Sequence, residues 1–296
     1  MIDHHLLKKH DYALVAAESL NDLPADIPAQ RLTCQHFENS DSLLPSFVDL
    51  KSLSEKQSTA LLVKMQNQIE QGGIPVGNLL LKTSYTPAQI KAYFARNQVC
   101  IHQNGGESET AWLRLHDPRV WVHLQRVLGE HHFVQLVYKI PEWTLYFSNE
   151  WINNTFEHTS QGNQTAHGYI SVDATQWADL QRIGLVNRSL RHLNIESHAD
   201  TLRKSPELNA QICYAQKTYG LQRIDDIVRY VALAQQIHLR FDQHPLMKEA
   251  HQRYQKLASQ SKIDEDESVV DAFNEIPSSQ WPVIRAELNQ TQPIAA

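Results

Sequence analysis

Short bursts of apolar residues broken by polar punctuation fill the first half of the chain, and apolar residues at helical spacing fill the second. The segments YALVAA (12–17), RLTCQHF (31–37) and SFVDL (46–50) carry β-branched or aromatic residues between Asn, Asp and Pro, and predict strands. From Ser54 the period changes: Leu61, Leu62, Met65 and Ile69 share one helix face, and Gly72-Gly73 ends it. VGNLLL (76–81) predicts the next strand. Thr86-Pro87 then sets a hydroxyl cap before a proline at the first helical position, with Ile90, Tyr93 and Phe94 as the apolar face. Residues 99–102 and 111–116 flank the polar stretch QNGGESE and predict a hairpin with a Gly-rich turn. Asp117-Pro118-Arg119 opens a helix that Val120, Val122, Leu124, Val127 and Leu128 carry to Gly129. Residues 133–140 and 143–147, on either side of Pro141, predict two closing strands.

The polar stretch 153–168 has no period and contains two glycines, which marks a boundary between lobes. Beyond it, helices are predicted over 173–193, over 206–219 with Gly220 as C-cap, over 223–241, over 245–258, and within 265–275 and 279–288. The expected class is α+β: an N-terminal α/β lobe with a mixed sheet (1–152), a linker (153–170) and an all-α helical lobe (171–296).

Composition narrows the function classes. With 296 residues, 42% hydrophobic and 20% charged, each lobe can bury a core of its own. The longest apolar stretches fall far short of the roughly 20 residues that span a bilayer. The N-terminal residues carry no secretion-signal pattern, so the cytoplasm is the expected location. Net charge is -6, and no basic patch interleaved with aromatics points to nucleic acid. Cys34, Cys100 and Cys213 lie too far apart for a zinc knuckle and read as small apolar residues.

Sixteen histidines make metal binding the obvious alternative. Neighbours such as His4-His5 and His131-His132 diverge in direction, and the helical His-Glu-x-x-His spacing is absent. His244 and His251 share a helix face without an evident third ligand, and catalytic zinc needs three. No nucleophile elbow, phosphate loop or dinucleotide fingerprint can be written from the 10 glycines. A triad built on Cys34 or Cys100 has no support in spacing. The expectation is therefore no catalytic, cofactor or metal site. The competing class is a metal- or His-dependent hydrolase. The acidic run 263–275 reads as a solvated helix start. Trp112, Trp121, Trp143 and Trp151 cluster near the end of the first lobe, where most would pack a core and a minority would anchor a partner.

The order of landmarks carries more weight than any one of them. YALVAA, LLPSFVDL, VGNLLLKTSYTPAQIKAYFAR and AWLRLHDPRVWVHLQRVL, followed by a strand pair containing PEW, together resemble the N-terminal domain of the effector chaperones, or adaptors, of bacterial type VI secretion systems. Arg114, Asp117, Pro118 and Arg119 match the family's Arg-x-x-Asp-Pro-Arg element, and Trp143 its later Trp. YGLQRIDDIVRYVALAQQIHLRFDQHP (219–245) is similar to the family's helical tail, and the likeness covers nearly the whole chain. His116 departs from the aromatic usual before Asp-Pro-Arg, and Leu239-Arg240 replaces a small residue before Phe-Asp.

The resemblance implies a non-enzymatic cytoplasmic protein that binds a cognate toxic effector and helps load it onto the valine-glycine-repeat spike, VgrG; a structural part of the same apparatus is a further alternative. Within it, Arg114, Asp117, Pro118, Arg119 and Trp143 are expected to be structural, with Asp117 capping the helix and Arg119 paired to a carboxylate. Trp121, Trp151, Tyr219 and Phe241 are the candidate partner contacts. The histidines are expected to gain charge on acidification, giving effector affinity a pH dependence between about 5.5 and 7.5 if His-bearing surface lies in the interface.

Overall fold

The computed structural model describes residues 5–34, 36–37, 43–156, 169–260 and 267–291. It is mixed, as the sequence predicts: strands and helices interleave through the N-terminal region, and the C-terminal region is helical. Two compact units, Met1–Gln181 and Arg182–Ala296, divide the chain.

The first unit opens with α1 (His5–Lys9), β1 (Tyr12–Val15), the short β2 (Gln30–Arg31) and β3 (Ser46–Asp49), then α2 (Glu55–Glu70), β4 (Leu79–Lys82) and α3 (Pro87–Asn97). A hairpin of β5 (Val99–Asn104) and β6 (Glu107–Trp112) precedes α4 (Pro118–Val137), β7 (Glu142–Phe147), β8 (Glu150–Thr155), β9 (Ile170–Val172) and the start of α5 (Ala174–His192). Six strands form one sheet in the order β2-β3-β1-β4-β7-β8, with every pair antiparallel. The mixed pairing that the sequence suggested is confined to a second sheet, β6-β5-β9, where β9 runs parallel to β5.

The central strands read YALV, LLLK and EWTLYF because helices cover both faces, and such strands lose their apolar-polar alternation. Ala13, Val48 and Leu80 share one face through their register and pack on Leu61, Leu62 and Met65 of α2. The opposite face presents Tyr12, Leu14, Phe47, Leu81 and Trp143, and Trp143 meets Phe94 of α3 and Trp121 of α4. Both α2 and α3 begin with reciprocal capping boxes, Ser54 with Gln57 and Thr86 with Gln89, which satisfy otherwise orphaned N–H groups.

Three segments of the first unit depart most from the sequence reading. The strand predicted over 133–140 is instead the second half of α4. Phe133, Leu136 and Val137 are buried at helical spacing, and Gly129, which looks like a stop, is a kink with φ 70° and ψ 170°. The Gln176 amide donates to the Leu128 carbonyl at that kink. The strand predicted over 111–116 leaves its ladder after Trp112, because the turn from Arg114 to Asp117 starts there. Of the strand predicted over 31–37, Arg31 lies in β2 and residues 32–34 and 36–37 lie in no strand, while Gln35 lies outside the described residues. At the hairpin, Gly105 (φ 59°) and Gly106 (φ 98°) form the two-residue turn, and positive φ at both suits glycine.

Residues 157–168 of the expected linker lie outside the described residues. β9 and the first turns of α5 belong to the first unit, so the division falls inside α5.

The second unit contains the rest of α5 with α6 (His198–Tyr219), α7 (Ile224–Gln236), α8 (Pro245–Ser259), α9 (Val269–Asn274) and α10 (Trp281–Thr291). Its core gathers Val186, Leu208, Ile212, Tyr230, Val231, Phe241, Met247, Phe273 and Ile284. α6 starts eight residues before Pro206, the predicted first residue, because Ser197 caps it by accepting from the Asp200 N–H. Gly220 ends it in the left-handed conformation, as expected. α7 stops at Gln236, short of the predicted 241, where the Arg285 guanidinium takes the carbonyls of Gln236 and Ile237. Of the acidic run 263–275, residues 263–266 lie outside the described residues; beyond them Ser268 and Asp271 form a capping box on α9. Among the described residues no helix is long and apolar enough to cross a membrane.

Candidate functional site

The segment from Trp112 to Trp121 concentrates the polar and aromatic chemistry of the first unit. Asp117 is only 7% exposed, and four donors converge on its carboxylate. Oδ1 accepts from the Arg119 backbone N–H and Nε, both at 3.0 Å, while Oδ2 accepts from Arg119 Nη2 at 3.0 Å and Arg114 Nη2 at 2.8 Å. Burial pushes the Asp117 pKa up, but the Arg119 hydrogen bonds and the Arg119 and Arg114 charges outweigh it and hold the carboxyl below the usual aspartate value. The Asp therefore caps α4, with Pro118 in its first turn, and its arginine partners stand two positions after it and three before it. The two guanidiniums stay 49% and 45% exposed, so one face of this closed fork meets solvent.

Around the fork lie aromatic rings. The His116 ring stacks on Trp112 at 5.4 Å, and the Trp112 indole N–H donates to Gln98 Oε1. His116 is 6% exposed, and burial drives its pKa down to about 4, against the pull of Asp117. One turn into α4, Trp121 is 4% exposed and lies flat on Trp143, whose own N–H donates to the Ile140 carbonyl at 2.9 Å. Arg114, Asp117, Pro118 and Arg119 thus form one unit, and Trp121 and Trp143 meet beside it on the covered side of the sheet.

The remaining predicted contacts fall elsewhere. Trp151 on β8 is half-buried against the α2 side of the sheet and edge-on to Tyr146. Phe241 is fully buried, so it fills the core of the second unit and offers no surface; Trp121 is likewise a packing residue. Tyr219 is half-buried, and its hydroxyl donates to Asp242 Oδ2 at 2.7 Å.

That last bond belongs to a cluster that sequence reasoning missed. Asp242 is 4% exposed and also accepts from the Tyr214 hydroxyl at 2.9 Å. The Tyr230 hydroxyl lies beside the same carboxylate, and it and Asp242 Oδ1 are buried without a well-aligned partner. Burial and the Asp242 carboxylate raise the pKa of all three phenols, which therefore stay protonated as donors. The signal was in the Phe-Asp pair at 241–242: a charged residue beside a core aromatic needs buried donors.

The histidines and cysteines are mostly absorbed by packing. His10, His102, His116, His123, His238 and His244 are buried, whereas His4, His158 and His167 lie outside the described residues. His10 bridges the Leu6 carbonyl and Thr144 Oγ1, and His102 stacks on Trp177. His244 accepts from the Leu246 N–H to cap α8 and pairs with Glu287, while His251 packs its edge on Tyr219 and Phe273. His131 and His132 face each other edge to face at 5.2 Å. Among the described residues no three His, Cys, Asp or Glu side chains are grouped to hold a metal ion. Cys34 and Cys100 are buried, Cys213 is half-buried, and burial pushes the Cys100 thiol up to about 12, which keeps it protonated.

No family model matches the chain, and no curated protein and no solved structure matches it.

Proposed function

We propose that this chain is a cytoplasmic effector chaperone, or adaptor, of a bacterial type VI secretion system, which binds its cognate toxic effector and helps load it onto the VgrG spike. The observation that carries the reading is the convergence of its landmarks. YALVAA supplies β1, SFVDL supplies β3, GNLLLK supplies β4 and PEW leads into β7, which are four neighbouring strands of one sheet. The Arg-x-x-Asp-Pro-Arg element starts the helix whose Trp121 stacks on Trp143 of the last of them. Segments spread over more than a hundred residues thus act as one packing unit, which is what motifs marking a domain would do.

In this reading the fork and the tryptophan stack keep the sheet and α4 rigid, and recognition falls to exposed side chains with a polar rim around apolar anchors. Rigidity lowers the ordering cost of binding a large client. Co-expression of the chain with its cognate toxic effector, followed by affinity capture, tests the reading. A stoichiometric complex that survives gel filtration is expected, and recovery of both proteins apart would refute it.

A further inference from the structure

We infer that two copies of this chain associate through the outer face of α6, antiparallel about the level of Leu208. The inner face of this helix, Thr201, Ser205, Leu208, Ile212 and Ala215, is buried in the core of its unit. On the outer face Leu202, Pro206, Ala210 and Tyr214 follow one another at four-residue steps and are exposed, Leu202 by 47% and Tyr214 by 37%. Cys213 borders this stripe half-buried, and Ala199, Arg203 and Lys217 are exposed beside it. The small or rigid residues Pro206 and Ala210 occupy the middle, where a second backbone can come close, and the longer side chains stand towards the ends. Pro206 has no N–H, so the Leu202 carbonyl lacks its usual helical donor on this same face.

The occupant follows from the charges and the reversal symmetry of the face. A two-fold axis at Leu208 sets Pro206 against Ala210 of the second copy, and Leu202 beside its Cys213 and the exposed edge of its Tyr214 ring. Each of these contacts occurs twice, as an isologous interface requires. Lys217 near the C-terminal end and Glu196 just before the N-terminal end each lack an ion pair among the described residues. Antiparallel pairing brings Lys217 of one copy to Glu196 of the other, at the helix ends where each sign of charge is favoured. A parallel pair would oppose Lys217 to Lys217. The surface is thus complementary to itself in one register. It is independent of which effector or spike the chain serves.

Sedimentation equilibrium of the full chain between about 1 and about 100 µM should show a monomer–dimer equilibrium with a micromolar Kd, since one helix pair buries less than a standard interface. Ala210→Arg, at an exposed position that leaves the core untouched, should weaken Kd at least tenfold with unchanged circular dichroism. Lys217→Glu should weaken it less, and Lys217→Glu with Glu196→Lys should restore it. Leu202→Cys should cross-link to Cys213 under a mild oxidant as a dimer-sized band, because within one helix the two positions lie about 16 Å apart. A chain that stays monomeric throughout the range, a dimer that Ala210→Arg leaves intact, or a dimer without the cross-link overturns the inference.

Discussion

Trp121 and Trp143 stack with their ring centroids 4.2 Å apart and their planes 14° from parallel, joining α4 to the middle of the six-stranded sheet. Trp143 is fully buried and also meets Tyr93 and Phe94, so this one ring holds two helices to one strand. Trp143→Ala should cost about 3–5 kcal/mol, the range for deleting a large buried aromatic. Trp143→Phe should cost less, yet still leave the Ile140 carbonyl without its donor. Urea titration followed by circular dichroism measures both.

Asp117→Ala removes a helix cap and the shared partner of two arginines, and should destabilise the first unit by about 2–3 kcal/mol; the exposure of both guanidiniums keeps the figure below that of a fully buried ion pair. The pH dependence has a defined sign. Because the folded pKa is depressed, the carboxylate's contribution is fully present above the unfolded value of about 3.9 and is lost as pH falls through the folded one. The difference in stability between the natural chain and Asp117→Asn should therefore shrink at the acid end, and denaturant midpoints from pH 6 down to about 2 follow it.

His116 acts over a different window. Its folded pKa of about 4 lies below the unfolded value of about 6.5, so the unfolded chain binds the proton first. Stability is fully present above about 6.5 and declines by about 3 kcal/mol as pH falls towards 4. His116→Phe, which keeps a ring against Trp112, should flatten that decline. The same denaturant series run at pH 7, 6, 5 and 4 checks it, and equal slopes for both chains would count against a buried neutral imidazole.

In the second unit Tyr219→Phe should cost about 1–2 kcal/mol, one hydrogen bond to a charged acceptor. Asp242→Leu should cost more, because it strands the Tyr214 and Tyr219 hydroxyls together beside Tyr230. Thermal melts of the two variants should rank them in that order.

Several local signals, in which one residue satisfies its near neighbour, were legible in the sequence, although the Ser197 cap on Asp200 was not. The helix start at Ser54, the Thr86 cap, Asp117 before Pro118, the Gly105-Gly106 turn and Gly220 all act within a few positions. Much of what escaped depended on distant residues. Gly129 reads as a helix end until the Gln176 side chain takes the Leu128 carbonyl. Pro206 reads as a helix start until the cap at Ser197 places it in mid-helix. The same holds for the candidate site: the Asp-Pro-Arg element was visible, but its fork to Arg114, the stack on Trp143 and the tyrosines around Asp242 exist only once the chain has folded. Phe241 illustrates the cost of judging by type alone, since a core aromatic and an anchor for a partner look the same in sequence.

The most direct test of the adaptor account is secretion of the cognate toxic effector by a strain that lacks only this chain. The account predicts that the toxin stays inside the cell while the spike is still exported, and that the restored chain returns secretion. Normal export of the toxin without this chain would contradict it.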